Sequence, residues 1–337
     1  MNTSTTHYPL DELNLERSLG QRISESEVEG SAIPLIDLSN FDERREEITE
    51  QLWHAATEVG FFQLSNHGLS VDEINHAFGN ADKFFGLETD QKAQYPLKEG
   101  TNAGWEYKAQ VRPSTGTADQ KESYQITRPN MTDLWPNREL PAFKSEMLAF
   151  ERRCWELGMK VLSCFADRLG FERDFFAKAH DQGSEQYQST LRLLHYLAIK
   201  DPKQLEGEPW RAGAHTDFDC LTMVFQKTGQ GGLQASAGKD ASDTLTWHSV
   251  PAVDGIITCN IGDMLMRWSD DQLKSTLHRV RMPRAGEYMG HRYSMAFFCQ
   301  ANRDVVIEGP NKRYPAMTAA EYLNMRMNAN YTEKSST

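Results

Sequence analysis

The chain lacks the features that mark several large classes of protein. No window of its 337 residues approaches the roughly 18 consecutive apolar residues of a membrane span. Residues 1–29 are polar rather than a basic stretch followed by an apolar one, so neither a secretory leader nor a membrane partner is expected. Positive charge is scarce: 36 Lys and Arg stand against 48 Asp and Glu, for a net charge of −12. A protein that holds nucleic acid through its phosphates needs clustered basic residues, so this balance argues against such a partner and suits solubility instead. The five cysteines, Cys154, Cys164, Cys220, Cys259 and Cys299, are scattered, odd in number and without Cys-x-x-Cys spacing, which excludes a disulfide framework and a zinc knuckle. They read as reduced packing residues of a cytoplasmic protein. Repeats, low-complexity runs and linkers long enough to separate independent domains are also missing, and nothing specifies an oligomeric state.

What is present is enough apolar material for a substantial core, 39% of the residues, arranged with two periodicities. Residues 33–38 and 61–64 read as short apolar strands, and Arg44 to Glu58 as a helix with Ile48, Leu52, Ala55 and Ala56 on one face. A second helix, Val71 to Phe85, follows a start signal at Gly68 to Ser70. Lys98 to Asp119, rich in Gly, Thr and Ala, reads as a long loop or irregular strands. Pro141 to Leu169 is one long helix by the recurrence of Phe143, Met147, Phe150, Cys154, Leu157, Val161 and Cys164 at three- and four-residue steps. From Thr190 to Asn302 the period becomes two, in runs at 191–197, 221–226, 245–250, 256–261, 276–280 and 293–299. Many short strands with turn punctuation predict a mainly β fold with supporting helices and a double-stranded β-helix, or jelly-roll, core. The chemistry is therefore expected in the second half.

Within that half, Gly213-Ala-His-Thr-Asp-Phe218 supplies His215 and Asp217 two residues apart, and His278 follows 61 residues after Asp217. Residues at i and i+2 of a strand share a face, so His215 and Asp217 can grip one ion together. Two imidazoles and one carboxylate make the facial triad of non-haem Fe(II) oxygenases, which leaves about three of six coordination positions open. A further 14 residues on come Arg292 and Ser294, again sharing a strand face. A guanidinium fork beside a hydroxyl suits a carboxylate bound at both oxygens, such as the distal end of 2-oxoglutarate. The histidines at 7, 54, 67, 76, 180, 248 and 291 read as packing or hydrogen-bonding residues, and His195, in a Leu-Leu-His-Tyr strand, is ambiguous. Asp263 reads as a turn residue or a support for the ligands rather than a ligand. Cys220 and Cys299, near the motifs, are expected to be sensitive to oxidation.

These residues, in this order, resemble the iron(II)- and 2-oxoglutarate-dependent dioxygenases of the isopenicillin N synthase-like superfamily. The resemblance covers most of the chain: Ile33-Pro-Leu-Ile-Asp37 and Gly60-Phe-Phe-Gln-Leu-Ser-Asn-His-Gly68 are similar to the family's N-terminal words. Lys121-Glu-Ser-Tyr124, Leu191-Arg-Leu-Leu-His-Tyr196 and Gly231-Gly-Leu-Gln234 resemble the thymine 7-hydroxylase-like fungal branch. The resemblance implies Fe(II) held by His215, Asp217 and His278, 2-oxoglutarate held by Arg292 and Ser294 with Tyr196, and O2 as the oxidant. The implied reaction couples conversion of 2-oxoglutarate to succinate and CO2 with oxidation, chiefly hydroxylation, of an unactivated C–H or methyl group of a small organic substrate. It also implies that Arg192, Phe218 and Phe298 face that substrate, with Trp105 and Tyr107 in a covering loop, and that the substrate is a planar methylated ring. Phe218 departs from a Tyr of that branch, and Leu197 from a Pro. The segments implied are a polar N-terminal arm at 1–31, an N-terminal segment of the dioxygenase fold at 32–135, a buttressing helical region at 136–185, the jelly-roll core at 186–302 and a C-terminal segment at 303–337. Three alternatives stay open: a non-catalytic metal- and 2-oxoglutarate-binding module, a zinc hydrolase on the same three ligands, and a desaturase or ring-forming oxidase of secondary metabolism.

Overall fold

The computed structural model describes residues 24–28, 33–108, 121–200, 210–236 and 244–331. Its strands are β1 (Ser24–Val28), β2 (Leu35–Asp37), β3 (Phe61–Ser65), β4 (Gly104–Tyr107), β5 (Lys121–Ile126), β6 (Thr190–Tyr196), β7 (Trp210–His215), β8 (Leu221–Gln226), β9 (Leu233–Ser236), β10 (Thr244–Ser249), β11 (Ile257–Ile261), β12 (His278–Arg281), β13 (Arg292–Cys299), β14 (Val306–Ile307) and β15 (Met317–Thr318). Its helices are α1 (Arg45–Glu58), α2 (Val71–Phe85), α3 (Thr89–Lys92), α4 (Phe143–Leu169), α5 (Phe175–Ala179), α6 (Asp263–Trp268) and α7 (Ala319–Tyr331). Among the described residues no helix is long and apolar enough to cross a membrane.

Strand alternation decides which side of each sheet does what. On β13, Met295, Phe297 and Cys299 enter the large core with residues of α1, α2 and α4, whereas Ala296 and Phe298 pack on the opposite side. The same division holds on β6 and β8, where Leu191, Leu193, Leu221, Met223 and Phe225 join the helix-side core. These strands lie in an eight-stranded sheet ordered β2-β3-β11-β8-β13-β6-β5-β4. Its other face meets a five-stranded sheet, β1-β10-β9-β12-β7, through a smaller cluster that joins Phe61, Leu194, Tyr196 and Ala296 to Ala212, Leu233, Ala235 and Val280. Two sheets closed face to face form the jelly roll. The face turned inward carries Thr222, Gln226, Asn260, Arg292 and Ser294, all buried. Polar residues that would ordinarily meet water on an antiparallel sheet instead line an interior, and each then needs a partner.

The helices form where the periodicity places them. α1 buries Ile48, Leu52, Ala55 and Ala56, and α2 starts on a reciprocal capping box between Ser70 and Glu73, worth about 1 kcal/mol. α4 lies against β13 at Gly158, where a Cβ would stand 2.5 Å from the Cys299 sulfur. Gly60, at φ +78, turns the chain from α1 into β3 so tightly that a Cβ would stand 2.3 Å from the Lys274 carbonyl oxygen. That contact draws the segment leading into β12 against β3.

Three expectations from the sequence are corrected by the fold. Residues 24–28, assigned to a loose arm, form β1, which pairs in parallel with β10 and brings Glu27 to Arg279 and Arg284; the rest of 1–31, up to residue 31, lies outside the described residues. The jelly roll is not confined to 186–302, because β2, β3, β4 and β5 supply half of the eight-stranded sheet. Cys220 and Cys299 are fully buried, and burial pushes both thiols well above their usual range, so neither is the accessible thiolate that oxidation needs.

Candidate active site

His215 ends β7 and His278 begins β12, and the two stand opposite each other in the antiparallel ladder. Irregular register between His278 and Val280 marks a bulge in this pair, which re-aims side chains at the strand ends. Asp217 lies in the turn after β7 rather than on it, so the strand-face argument for His215 and Asp217 holds only through that turn. The turn is fixed from below: the backbone N–H of Asp263, at the start of α6, donates to the Asp217 carbonyl at 2.8 Å. Among the described residues, His215, Asp217 and His278 are the cluster whose donor atoms all lie within 4.8 Å of one another. His278 Nε2 is 3.6 Å from Asp217 Oδ2 and His215 Nε2 is 3.9 Å from Oδ1.

Each donor is oriented by a neighbour. His215 Nδ1 lies 2.8 Å from the Gly213 carbonyl and His278 Nδ1 3.3 Å from that of Thr276. A carbonyl at Nδ1 assigns the proton there and leaves the Nε2 lone pair facing Asp217. Thr222 and Asn260 donate to Asp217 Oδ2 at 2.7 and 2.9 Å. Burial would raise the Asp217 carboxyl, but the His278 and His215 imidazoles and these two donors outweigh it and hold it at about 2. Asp219 takes the opposite course: burial, then the Asp217 charge, push its carboxyl well up. Asp263 is engaged by Arg326 at 2.6 Å and is no ligand. Two imidazoles with Nε2 turned to Asp217, and one ionised carboxylate, fit Fe(II) by donor chemistry.

Arg292 and Ser294 lie on the inward face of β13, with Arg292 paired across the ladder to Tyr196 and Ser294 to Gln226. The Arg292 guanidinium is buried, stands 4.8 Å from the Tyr196 ring centre and donates to the carbonyls of Gln230 and Gly231, to Ser294 Oγ at 3.4 Å and to Gln226 Oε1 at 3.2 Å. Burial pulls its pKa down. No carboxylate among the described residues makes an ion pair with it, so a buried cation faces the interior with only neutral partners. That arrangement fits an incoming carboxylate. Gln226, which no motif singles out, shares the inward face of β8 with Thr222; the available signal is its even, four-residue spacing from Thr222 on a strand that is itself recognisable.

Further along the same face, the Arg192 guanidinium covers the Phe298 ring at 4.9 Å and donates to Gln125 Oε1 at 2.7 Å, while Gln125 and Ser123 both donate to Glu106. Phe298 pairs with Thr222, the residue that holds Asp217, so this wall adjoins the triad. Ser294 and Phe298 are four residues apart, about 13 Å at the ~3.3 Å rise of a strand. Phe218, next to Asp217, lies 4.6 Å from the Arg326 guanidinium.

Trp105 does not join this wall, which corrects its assignment as a substrate contact. Glu106 points inward, so the neighbouring Trp105 points to the helix side, where its indole N–H donates to Glu122 at 2.7 Å beside Lys92. His195 is on that side too, with Nδ1 2.7 Å from Glu122 and Nε2 2.7 Å from His291 Nδ1, and is not a ligand. A surface concavity of about 560 Å³ lined by Arg128, Trp135, Lys144 and Leu148 lies apart from the triad, and its Arg128 is already engaged by Glu151 at 2.6 Å.

Comparison with known proteins agrees with this geometry. Residues 33–142 match the family described as non-haem dioxygenase in morphine synthesis N-terminal, and residues 187–301 match the 2OG-Fe(II) oxygenase superfamily. The chain is 32% identical to proline hydroxylase buaE of Petromyces alliaceus, over 83% of this chain and 89% of the relative. It is 30% identical to 2-oxoglutarate-dependent dioxygenase caaD of Aspergillus niger, over 86% and 89%. Among solved structures, full-length Neurospora crassa T7H in complex with alpha-KG and thymine superposes with a TM-score of 0.77 at 30% identity, covering 89% of this chain and 97% of that one.

Proposed function

The chain belongs to the 2OG-Fe(II) oxygenase superfamily and is an Fe(II)- and 2-oxoglutarate-dependent dioxygenase, and we propose that its metal is held by His215, Asp217 and His278 and the distal carboxylate of its cosubstrate by Arg292 and Ser294, with Tyr196 beside them. The observation that carries this reading is the placement of a buried Arg292, with no anionic partner among the described residues, on the same sheet face that supplies Thr222 and Asn260 to Asp217. When bound, the metal supplies O2 activation coupled to decarboxylation of 2-oxoglutarate to succinate and CO2. The chain's own groups do the rest. Thr222 and Asn260 keep Asp217 ionised and aimed, the Gly213 and Thr276 carbonyls hold both imidazoles in the ligating tautomer, and the Arg292–Ser294 pair sets the depth of the cosubstrate. The two sheets bury Arg292, Ser294 and His278 between them.

We further propose that the substrate is a small planar methylated ring carrying a hydrogen-bond acceptor, and that the outcome is hydroxylation. Arg192 offers donors beside the flat face of Phe298, Phe218 adds a second ring next to the triad, and Neurospora crassa T7H is solved with thymine and with 5-formyluracil. Phe218 removes a Tyr hydroxyl from this pocket, so thymine is not carried over as the substrate from that likeness. Substrate-stimulated succinate release, screened with thymine and methylated aromatic compounds, tests this; release stimulated only by aliphatic compounds would exclude a ring.

Two variants test the site. Arg292→Met should raise the 2-oxoglutarate concentration for half-maximal turnover about tenfold to a hundredfold, the worth of a charge-assisted hydrogen-bonded contact; an unchanged value would move the anchor elsewhere. Thr222→Val removes one donor to Asp217 and should weaken ferrous binding about 10- to 100-fold, read by anaerobic titration of the Fe(II)–2-oxoglutarate charge-transfer band.

A further inference from the structure

A second buried guanidinium approaches the Tyr196 ring that Arg292 also approaches. Arg211, on β7 four residues before His215, is only 3% exposed, and its Nη2 is buried without a hydrogen-bond partner among the described residues. Its guanidinium lies 6.0 Å from the centre of the Tyr196 ring, the ring that Arg292 approaches to 4.8 Å. Among the described residues no carboxylate makes an ion pair with either arginine. Burial, then the charge of Arg292, pull Arg211 down to about 10, so it remains a cation at neutral pH.

Arg279, in the same sheet, shows what a structural arginine needs here. Its guanidinium is sandwiched between Trp210 and Trp247 at 3.8 Å from each ring centre, and it donates to Gln234 and pairs with Glu27. Among the described residues, Arg211 has two tyrosines, Tyr196 with its ring centre at 6.0 Å and Tyr288, and the like charge of Arg292. Two neighbouring buried cations repel each other strongly in a medium that screens poorly, unless an anion is shared between them.

We propose that Arg211 is a second cationic contact for the distal carboxylate of 2-oxoglutarate, sharing that group with Arg292 and Ser294. The inference rests on the cosubstrate assignment above and extends it. A carboxylate accepts several hydrogen bonds through its two oxygens, so donors from Arg292 and Ser294 leave lone pairs for Arg211 Nη2. Arg211 thereby makes the pocket a receptor for a dianionic cosubstrate rather than for any 2-oxo acid.

Equilibrium titration of the Fe(II)-loaded protein under nitrogen, by calorimetry, tests this with two ligands: 2-oxoglutarate, and 2-oxobutanoate, which keeps the keto-acid end and lacks the distal carboxylate. Arg211→Gln should bind 2-oxoglutarate about tenfold to a hundredfold more weakly and 2-oxobutanoate as the unaltered protein does. Arg211→Lys, which keeps the charge but not the forked donor, should lie between. Unchanged affinity for 2-oxoglutarate, or equal weakening for both ligands, would overturn the proposal, and the Lys variant supplies the same comparison of the two ligands if the Gln variant does not fold. If Arg292→Met weakens 2-oxoglutarate binding and Arg211→Gln does not, only this inference fails; if neither does, the cosubstrate assignment falls with it.

Discussion

Replacing His278 with alanine should reduce substrate-coupled succinate release to below about one-hundredth of the unaltered enzyme's rate. The floor comes from the supports around such ligands, whose loss alone costs about 10- to 100-fold in metal affinity or activity; removing a donor itself must exceed that. The fold should survive, because His278 is a strand-end residue whose ring makes an edge contact with Phe61 and whose backbone pairing does not depend on the imidazole. Circular dichroism, ferrous titration and succinate assay on one preparation separate the possibilities. A folded variant that still turns over at more than about a tenth of the normal rate would remove His278 from the ligand set. Recovery of turnover with added imidazole would support the assignment directly.

The second large effect is expected far along the chain from the motifs. Arg326 on α7 and Asp263 on α6 form an ion pair at 2.6 Å in which both side chains are fully buried, and Thr216, between the proposed ligands His215 and Asp217, donates to the same carboxylate oxygen at 2.9 Å. Arg326→Met leaves Asp263 without its cation in the interior, which costs about 3–5 kcal/mol, a large share of what holds a typical domain folded. The double variant Arg326→Met, Asp263→Leu should recover much of that loss, because an apolar pair carries no desolvation penalty. Urea denaturation of the three proteins measures it. Equal midpoints for the single variant and the unaltered chain would show that the pair contributes nothing. Since Arg326 also covers Phe218, the single variant should in addition alter the concentration dependence of substrate more than that of 2-oxoglutarate.

Much of this architecture is legible in the sequence. The helix at Val71–Phe85 announces itself by the start signal at Gly68 to Ser70, and the long helix Phe143–Leu169 by a stripe of apolar residues at helical spacing; both signals are local, so they need no knowledge of distant partners. Likewise β8 and β13 alternate cleanly because one face packs on helices. β4, β5, β7 and β9 are not legible in this way. Their sequences, such as Lys-Glu-Ser-Tyr-Gln-Ile, mix polar residues into both faces because their inner side is a binding interior, and periodicity then carries no contrast. Arg211 and Arg326 are invisible for a related reason: an isolated arginine looks the same in sequence whether its charge meets solvent, a carboxylate or nothing.

By itself, then, the amino-acid order determined the class of chemistry, since His215, Asp217 and His278 with Arg292 and Ser294 are residue types whose coordination and carboxylate-binding properties hold wherever the chain brings them together. Only the tertiary structure decided which neighbours finish the site. It turned Trp105 away to Glu122, linked Arg192 through Gln125 to Glu106, and set Arg211 and Arg292 at the one Tyr196 ring. The physical reason is that strand alternation fixes a face only once register and bulges are known, and these are set by pairing between segments as much as about a hundred residues or more apart rather than by any local preference.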